Sequence, residues 1–134
     1  MKSSARYLTA VAAGLCLFGL TGCNTISTQS NQYVGVPTYP PTDPATVQIL
    51  RTEPTRPHVR LGEVTVEPSS MSTPVPEIEA KLQKAGAKMG ANAVVIVVDR
   101  TQLMGAVVTG GWYNRQVSPE MGRVIVGVAI HYTQ

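Results

Sequence analysis

The chain has 134 residues, 14% of them charged, and a formal net charge of +3. This length suits one small domain. Part of the positive charge lies in residues 1–22, and without Lys2 and Arg6 the net charge of the remainder is +1. No cluster of Lys and Arg is left that would be typical of a nucleic-acid-binding surface, so composition excludes nucleic acid as a partner.

The N-terminus has the three-part layout of a secretory signal peptide. A cationic start precedes an apolar stretch from Leu8 to Leu20, which is too short to span a bilayer comfortably. The sequence Leu20-Thr21-Gly22-Cys23 resembles the lipobox of bacterial lipoproteins, in which a signal peptidase cleaves before a lipid-modified cysteine. We therefore predict that residues 1–22 are removed, that the peptidase recognises Leu20, Thr21 and Gly22, and that Cys23 is lipidated.

Lipidation of Cys23 would determine where the mature protein lies. Several acyl chains anchor a protein stably, so the membrane is the first predicted partner, and no cofactor is expected besides the covalent lipid. Asn24 is not the aspartate that commonly retains lipoproteins in the inner membrane. In a Gram-negative cell this resemblance to the sorting rule predicts the outer membrane, facing the periplasm. The other cysteine, Cys16, follows the large Leu15 and does not fit the peptidase, so the mature chain keeps no free thiol.

The segment 23–45 combines polar residues with several prolines and shows no apolar periodicity. Such a segment cannot bury enough surface to offset the entropy of ordering it. We predict a disordered, partly stiffened tether between the anchor and the fold. Two roles stay open for it: a passive spacer, or a segment that threads into or along a membrane protein.

Residues 46–134 predict a single α+β domain with four strands and one helix in the order β-β-α-β-β. Apolar patterns place the strands at Val47–Leu50, Val59–Glu67, Gly90–Arg100 and Arg123–Tyr132, and the helix at Pro76–Met89. Within the second strand the alternation changes register at Gly62, which predicts a β-bulge there. The helix is expected to cover one face of a mixed sheet, with a right-handed crossover between the second and third strands.

The second face of this sheet needs a cover, because the run from Val94 to Val98 is typical of a strand buried on both faces. The connection 101–122 is expected to be a long loop, too long for a plain hairpin turn. It either folds back over the second face, where Gly127 and Ala129 are expected to leave room, or leaves that face to a partner. The partner would be another envelope protein or a second copy.

The sequence contains no pattern typical of a catalytic or metal site. His58 and His131 are far apart, and no cluster of Cys, His and carboxylates occurs at ligand spacing. Asp99-Arg100 is the most site-like dipeptide, and we interpret it as a solvated strand end, while His131 is expected to be a packed or edge residue. We therefore predict no catalytic residues, no metal and a protein that is not an enzyme.

Three sequence stretches, LGEV, KMGANAVVIVVDR and RVIVGVAIHY, carry a resemblance to known proteins. They resemble a family of small bacterial lipoproteins and, more distantly, the fold of the stress-sensing outer-membrane lipoprotein of the Rcs phosphorelay and of YbjQ-like domains. The matching residues are Leu61, Gly62, Val64, Gly90, Ala91, Asn92, Ala93 and Val94. The resemblance implies a lipid anchor, a Pro-rich tether and a small mixed domain. The Rcs sensor has paired disulfides, whereas this chain has no cysteine after Cys23, so disulfide-based sensing does not carry over.

Two classes of function follow. The first is a non-enzymatic, membrane-anchored periplasmic lipoprotein that acts as a protein-interaction module in envelope sensing, assembly or stress signalling. Its candidate partner contacts are Trp112, Tyr113 and Arg115, because aromatic and Arg side chains commonly anchor interfaces. The alternative is a small-molecule or metal-binding periplasmic module with the 101–122 loop as a lid. Self-association through the open sheet face is a third hypothesis.

Overall fold

A computed structural model of the protein describes residues 25–133. The predicted signal peptide, its recognition residues Leu20, Thr21 and Gly22, and the lipidation site Cys23 lie outside the described residues. Within them the chain forms one α-helix and one sheet. The elements are β1 (Ile26–Gln32), a 3-10 turn (Pro44–Thr46), β2 (Gln48–Leu50), β3 (His58–Pro68), α1 (Val75–Lys88), β4 (Ala93–Thr109) and β5 (Gln116–Tyr132).

The sheet has the spatial order β1-β3-β5-β4-β2. All neighbouring strands are antiparallel except β2 and β4, which run parallel. The prediction of an α+β fold with one helix on a mixed sheet is therefore confirmed. The count of four strands is wrong, because the four predicted strands correspond to β2 through β5 and β1 is a fifth.

The structure corrects the predicted tether over residues 26–45, and with it the predicted domain start at residue 46. Strand β1 pairs with β3 along its whole length, from Ile26 opposite Pro68 to Gln32 opposite Gly62. Six of its seven residues are exposed. Backbone hydrogen bonds to a neighbouring strand hold this edge in place, so it needs no apolar pattern.

The Pro-rich part of the same segment also packs against the domain. The Thr42 amide donates to the Ala87 carbonyl at 2.9 Å, and the Thr42 hydroxyl donates to the Ala91 carbonyl at 2.7 Å. The Tyr39 ring stacks on the His131 ring with 3.7 Å between their centroids. Thr42 and Tyr39 thereby fasten the segment across the C-terminal end of α1.

The main core lies between α1 and one face of the sheet. Helix residues Ile78 and Leu82 are buried against the sheet, whose buried residues on this face include Leu61, Val64, Val66, Val94, Ile125 and Ala129. Gly127 also faces the helix, and a Cβ there would lie 3.4 Å from Leu82 Cδ2. This corrects the expectation that Gly127 and Ala129 leave room on the uncovered face. The small residues instead let the helix approach the sheet.

One local prediction, the bulge at Gly62, is confirmed. The β3–β5 register shifts between Arg60 and Gly62, which is the predicted bulge. Gly90 follows the helix with a φ of +79°, in the left-handed region that favours glycine. A Cβ at Gly90 would also come within 2.6 Å of the Tyr39 side chain.

The structure also corrects the predicted loop 101–122. Strands β4 and β5 continue through this range as a two-stranded hairpin that pairs as far as Thr109 opposite Gln116. Only residues 110–115 form the connecting turn. The segment therefore does not fold back over the second sheet face, where Ala93, Val95 and Ile130 form a small cluster with Leu50, Val128 and Tyr132.

Candidate docking surfaces

The hairpin formed by residues 101–122, here called the arm, extends beyond the rest of the sheet. Strand β3 pairs with β5 only as far as Val66 opposite Ile125, and β2 pairs with β4 only as far as Leu50 opposite Val95. Within the arm β4 and β5 pair only with each other. At about 3.3 Å per residue, the arm strand of β5 projects roughly 23 Å from the sheet.

An ion pair joins the two strands at the base of the arm. Arg123 donates from Nε to Asp99 Oδ1 and from Nη2 to Asp99 Oδ2, both at 2.8 Å. This two-pronged hydrogen bonding from Arg123 holds the pKa of the Asp99 carboxyl below its ordinary value. Asp99 is exposed to solvent as expected, but it lies within β4 and is paired with Arg123, so its interpretation as the end of a strand is wrong.

From Leu103 outward one face of the arm is apolar, whereas Thr101 at its base is a polar residue on the same face. The register places Leu103 opposite Met121, Ala106 opposite Pro119, and Val108 opposite Val117. Residues opposite one another share a face and alternate residues of a strand change face, so these six side chains lie together. Their exposure is 64% for Leu103, 57% for Val108, 66% for Val117 and 49% for Met121. Below, the apolar face of the arm means these six residues.

The opposite face of the arm is mixed. Its polar members are Gln102, Thr109, Gln116, Ser118 and Glu120, and they lie beside Met104 and Val107. Met104 is the extra residue of a bulge between Leu103 and Gly105, and the Gln102 side-chain amide lies 3.7 Å from its sulfur. The arm is therefore an amphipathic ribbon whose apolar side has no cover within residues 25–133.

A tight turn forms the tip of the arm. The Asn114 amide donates to the Gly111 carbonyl at 3.0 Å, which places Trp112 and Tyr113 at the two central positions. Trp112 is 78% exposed and Tyr113 is 97% exposed. The Arg115 guanidinium lies 5.6 Å from the centre of the Trp112 ring, within the range of a cation–π contact. The structure thus brings the three candidate partner contacts together at the tip.

A second surface is a groove of about 270 Å³ on the sheet face opposite the helix. Its apolar floor includes Val95, Val97, Val128 and Ile130, and its rim carries Arg51, Glu53, His58 and Arg60. None of the lining residues comes from 101–122, which corrects the expectation that this segment is a lid. The arm extends away from the groove along the strands.

The charged groups at the groove rim are paired with one another. The Glu53 carboxylate lies 3.2 Å from His58 Nε2 and accepts a hydrogen bond from Arg60. The Arg60 hydrogen bond is the main reason that the pKa of Glu53 is lowered. Arg51 lies 3.4 Å from Glu79. The rim therefore offers little uncompensated charge to a ligand.

The other candidate chemistry groups have structural roles. His131 is half-buried, and its Nδ1 donates to the Gly90 carbonyl at 2.7 Å while its ring stacks on Tyr39, so it is the packed residue that was expected. Among residues 25–133, no three His, Cys, Asp or Glu side chains are grouped in a way that could hold a metal ion. Within the same range no helix is long and apolar enough to cross a membrane.

Comparisons with known proteins give one structural likeness. No protein family model matches the sequence, and no curated protein matches it. Among solved structures, the chain is similar to the crystal structure of a Francisella virulence factor, FvfA, with a TM-score of 0.49 and 14% sequence identity. The similarity covers 78% of this chain and 97% of that one.

Proposed function

We propose that the protein is a lipid-anchored, non-enzymatic envelope protein that acts as a protein-interaction module at the outer membrane, facing the periplasm. The observation that carries this proposal is the arm, a projecting element with large apolar side chains in contact with water. Exposed apolar surface of this kind is typical of interaction sites. The lipobox and the resemblance to small bacterial lipoproteins support the anchored location.

The tip of the arm has the features of an interface anchor. Trp112 and Tyr113 offer large contact areas on side chains with few rotatable bonds, and Arg115 is the third residue type enriched in binding hot spots. The hydrogen-bonded turn and the contact between Arg115 and Trp112 limit the conformations that these side chains can adopt. A partner would therefore order fewer side chains on binding, which lowers the entropic cost of association.

The direct test is photocrosslinking in cells. A photoreactive amino acid is placed at position 112 or 113 of the lipidated protein, and the products are identified by mass spectrometry. The expected result is a discrete adduct with another envelope protein. As a control, the probe is placed at position 29, an exposed site on β1, where the same adduct should be absent. If both tip positions give uncrosslinked protein and no adduct, the proposal is contradicted.

A second candidate function has a specific observation in its favour. The groove floor of Val95, Val97, Val128 and Ile130 is large enough for a small apolar molecule. A thermal-shift screen against envelope metabolites tests this, because a ligand that binds the native state raises its apparent stability. The substitution V128F, which fills the groove, should abolish any shift. If no compound in the screen raises the melting temperature, the protein-interaction proposal is favoured over the ligand-binding one.

A further inference from the structure

We propose that the apolar face of the arm binds the surface of the same membrane that holds the lipid on Cys23. This inference rests on the lipid anchor of the proposed function. It assigns a lipid surface to the apolar face and leaves the tip to the protein partner.

The chain enters the fold at the end of the sheet from which the arm projects. Ile26 at the start of β1 is opposite Pro68, and two residues earlier in β3 Val66 is opposite Ile125. The start of β1 is therefore level with the base of the arm, near Arg123. The Thr25 carbonyl accepts a hydrogen bond from the Ser69 amide at 3.0 Å, so this entry point is fixed to the domain.

Very little chain separates the predicted anchor from this entry point. Cys23 and Ile26 are three residues apart, a distance that covalent geometry limits to about 11 Å even when fully extended. A lipid on Cys23 would therefore hold the start of β1 within about 11 Å of the lipid headgroups, and the base of the arm on β5 lies two strand spacings, about 10 Å, to the side. The arm projects roughly 23 Å from that same end of the sheet, which is long enough to bring it to the membrane surface.

The backbone of the arm determines how it can meet the bilayer. Within residues 25–133 the outer edges of the arm strands have no neighbouring strand. Unpaired amide and carbonyl groups at such edges cannot be buried in hydrocarbon without a large cost. A crossing hairpin is excluded on this ground. A hairpin lying along the interface keeps its edges hydrated while it buries one face.

The side chains of the arm match that arrangement. The apolar face would enter the acyl boundary, and the face that carries Gln102, Ser118 and Glu120 would remain in water. Trp112 and Tyr113 belong to the residue types that are enriched at the membrane–water boundary. The tip would then be held at that boundary, where a membrane-bound partner can contact it.

The experiment uses Trp112, the single tryptophan of the chain, as its reporter. The mature lipidated protein is reconstituted into vesicles of phosphatidylethanolamine and phosphatidylglycerol, some with brominated acyl chains that quench tryptophan fluorescence on contact. The expected result is a blue-shifted emission, relative to the protein in detergent-free buffer after cleavage from its anchor, and strong quenching by the brominated lipid.

The chain offers a matched pair of variants for this experiment. Val107 and Val108 are adjacent, chemically identical and 46% and 57% exposed, yet they lie on opposite faces of the arm. V108E should reduce the quenching several-fold, because it places a charge on the apolar face, whereas V107E should leave the quenching close to wild type. V117E, also on the apolar face, should repeat the effect of V108E. Thermal unfolding checks that each variant is folded.

Each other outcome has a distinct meaning. An acylated wild-type protein whose Trp112 is neither shifted nor quenched would overturn the membrane contact and leave the proposed function intact. Equal effects of V107E and V108E would also overturn it, as would crosslinks between two copies through Val108, which would assign the apolar face to self-association. A mature chain whose mass lacks acyl groups would refute the anchor of the proposed function, and the membrane contact would fall with it.

Discussion

Asp99 and Arg123 lie where the sheet narrows from four strands to two, because β2 has already ended opposite Val95. Their side chains are 29% and 24% exposed, so the ion pair is more shielded from water than most surface pairs. The two parallel hydrogen bonds fix both side chains in one plane, which is the geometry in which an Arg–carboxylate pair is strongest. This pair is the natural place to test how firmly the base of the arm is held.

Replacing Asp99 by Asn removes the charge of this pair while keeping its shape. We expect D99N to lower the free energy of unfolding at pH 7 by about 1 kcal/mol. Because the pKa of Asp99 is lowered in the folded protein, the contribution is present above the unfolded pKa, near 3.8, and is lost as the pH falls through the lower folded pKa. Urea unfolding of both proteins at pH 7 and pH 2.5 measures this. A stability difference independent of pH would contradict it.

A substitution at Gly62 tests whether β1 is packed against β3, because it adds a single carbon atom at their contact. A Cβ at this position would lie 2.9 Å from both the Gln32 Cα and the Met89 sulfur, closer than real Cβ contacts allow. We expect G62A to lower the free energy of unfolding by about 1–3 kcal/mol, because β1 must shift to admit the methyl group.

Gly105 on the arm is the matched control for that substitution. A Cβ at Gly105 would meet nothing within 4 Å, and its φ is not in the left-handed region. G105A should therefore leave stability within about 0.5 kcal/mol of wild type. Thermal or urea unfolding compares the two variants. If G62A were as harmless as G105A, residues 26–32 would not be packed on β3.

At the scale of elements, the arm is separate from both cores. The buried residues of the main core and of the small second cluster lie outside 101–122. The arm can therefore change without changing the packing between α1 and the sheet. A hairpin that adds no buried residue to either core while exposing six apolar residues supports the proposed interaction role.

Shortening the arm tests this separation. Replacing residues 102–122 by Asn-Gly would close β4 and β5 with a two-residue turn at the existing Thr101–Arg123 pair. We expect the shortened protein to fold with a melting temperature within about 4–8 °C of wild type, which corresponds to about 1 kcal/mol for a domain of this size. It should also lose the adducts obtained from the tip. An unfolded product would show that the arm supports the core.

Part of the fold was predictable because burial leaves an apolar pattern. The stripe through Ile78 and Leu82 predicts α1, and the runs through Val94 and Ile130 predict the cores of β4 and β5. Strand β1 leaves no such pattern, since an edge strand with exposed polar side chains is held by backbone hydrogen bonds. Sequence patterns alone therefore miss polar edge strands and underestimate the number of strands in a sheet.

The strands of the arm could not be predicted from the sequence for a different reason. The alternation of Val117, Pro119 and Met121 is a strand signal, but a proline inside the run argues against a strand, and the bulge at Met104 breaks the period on the partner strand. The tip residues were found from their types alone. Their position at the end of a projecting hairpin depends on strand pairing, which one sequence does not reveal.

At the scale of the whole molecule, the short stretch of chain between Cys23 and β1 would affect how a lipidated protein finds its partner. A domain attached within three residues of its lipid would diffuse as part of a thin layer next to the bilayer. Its encounters with other proteins of that membrane would be two-dimensional, which raises their effective concentration without any added contact area. A weak tip contact would then suffice for frequent engagement.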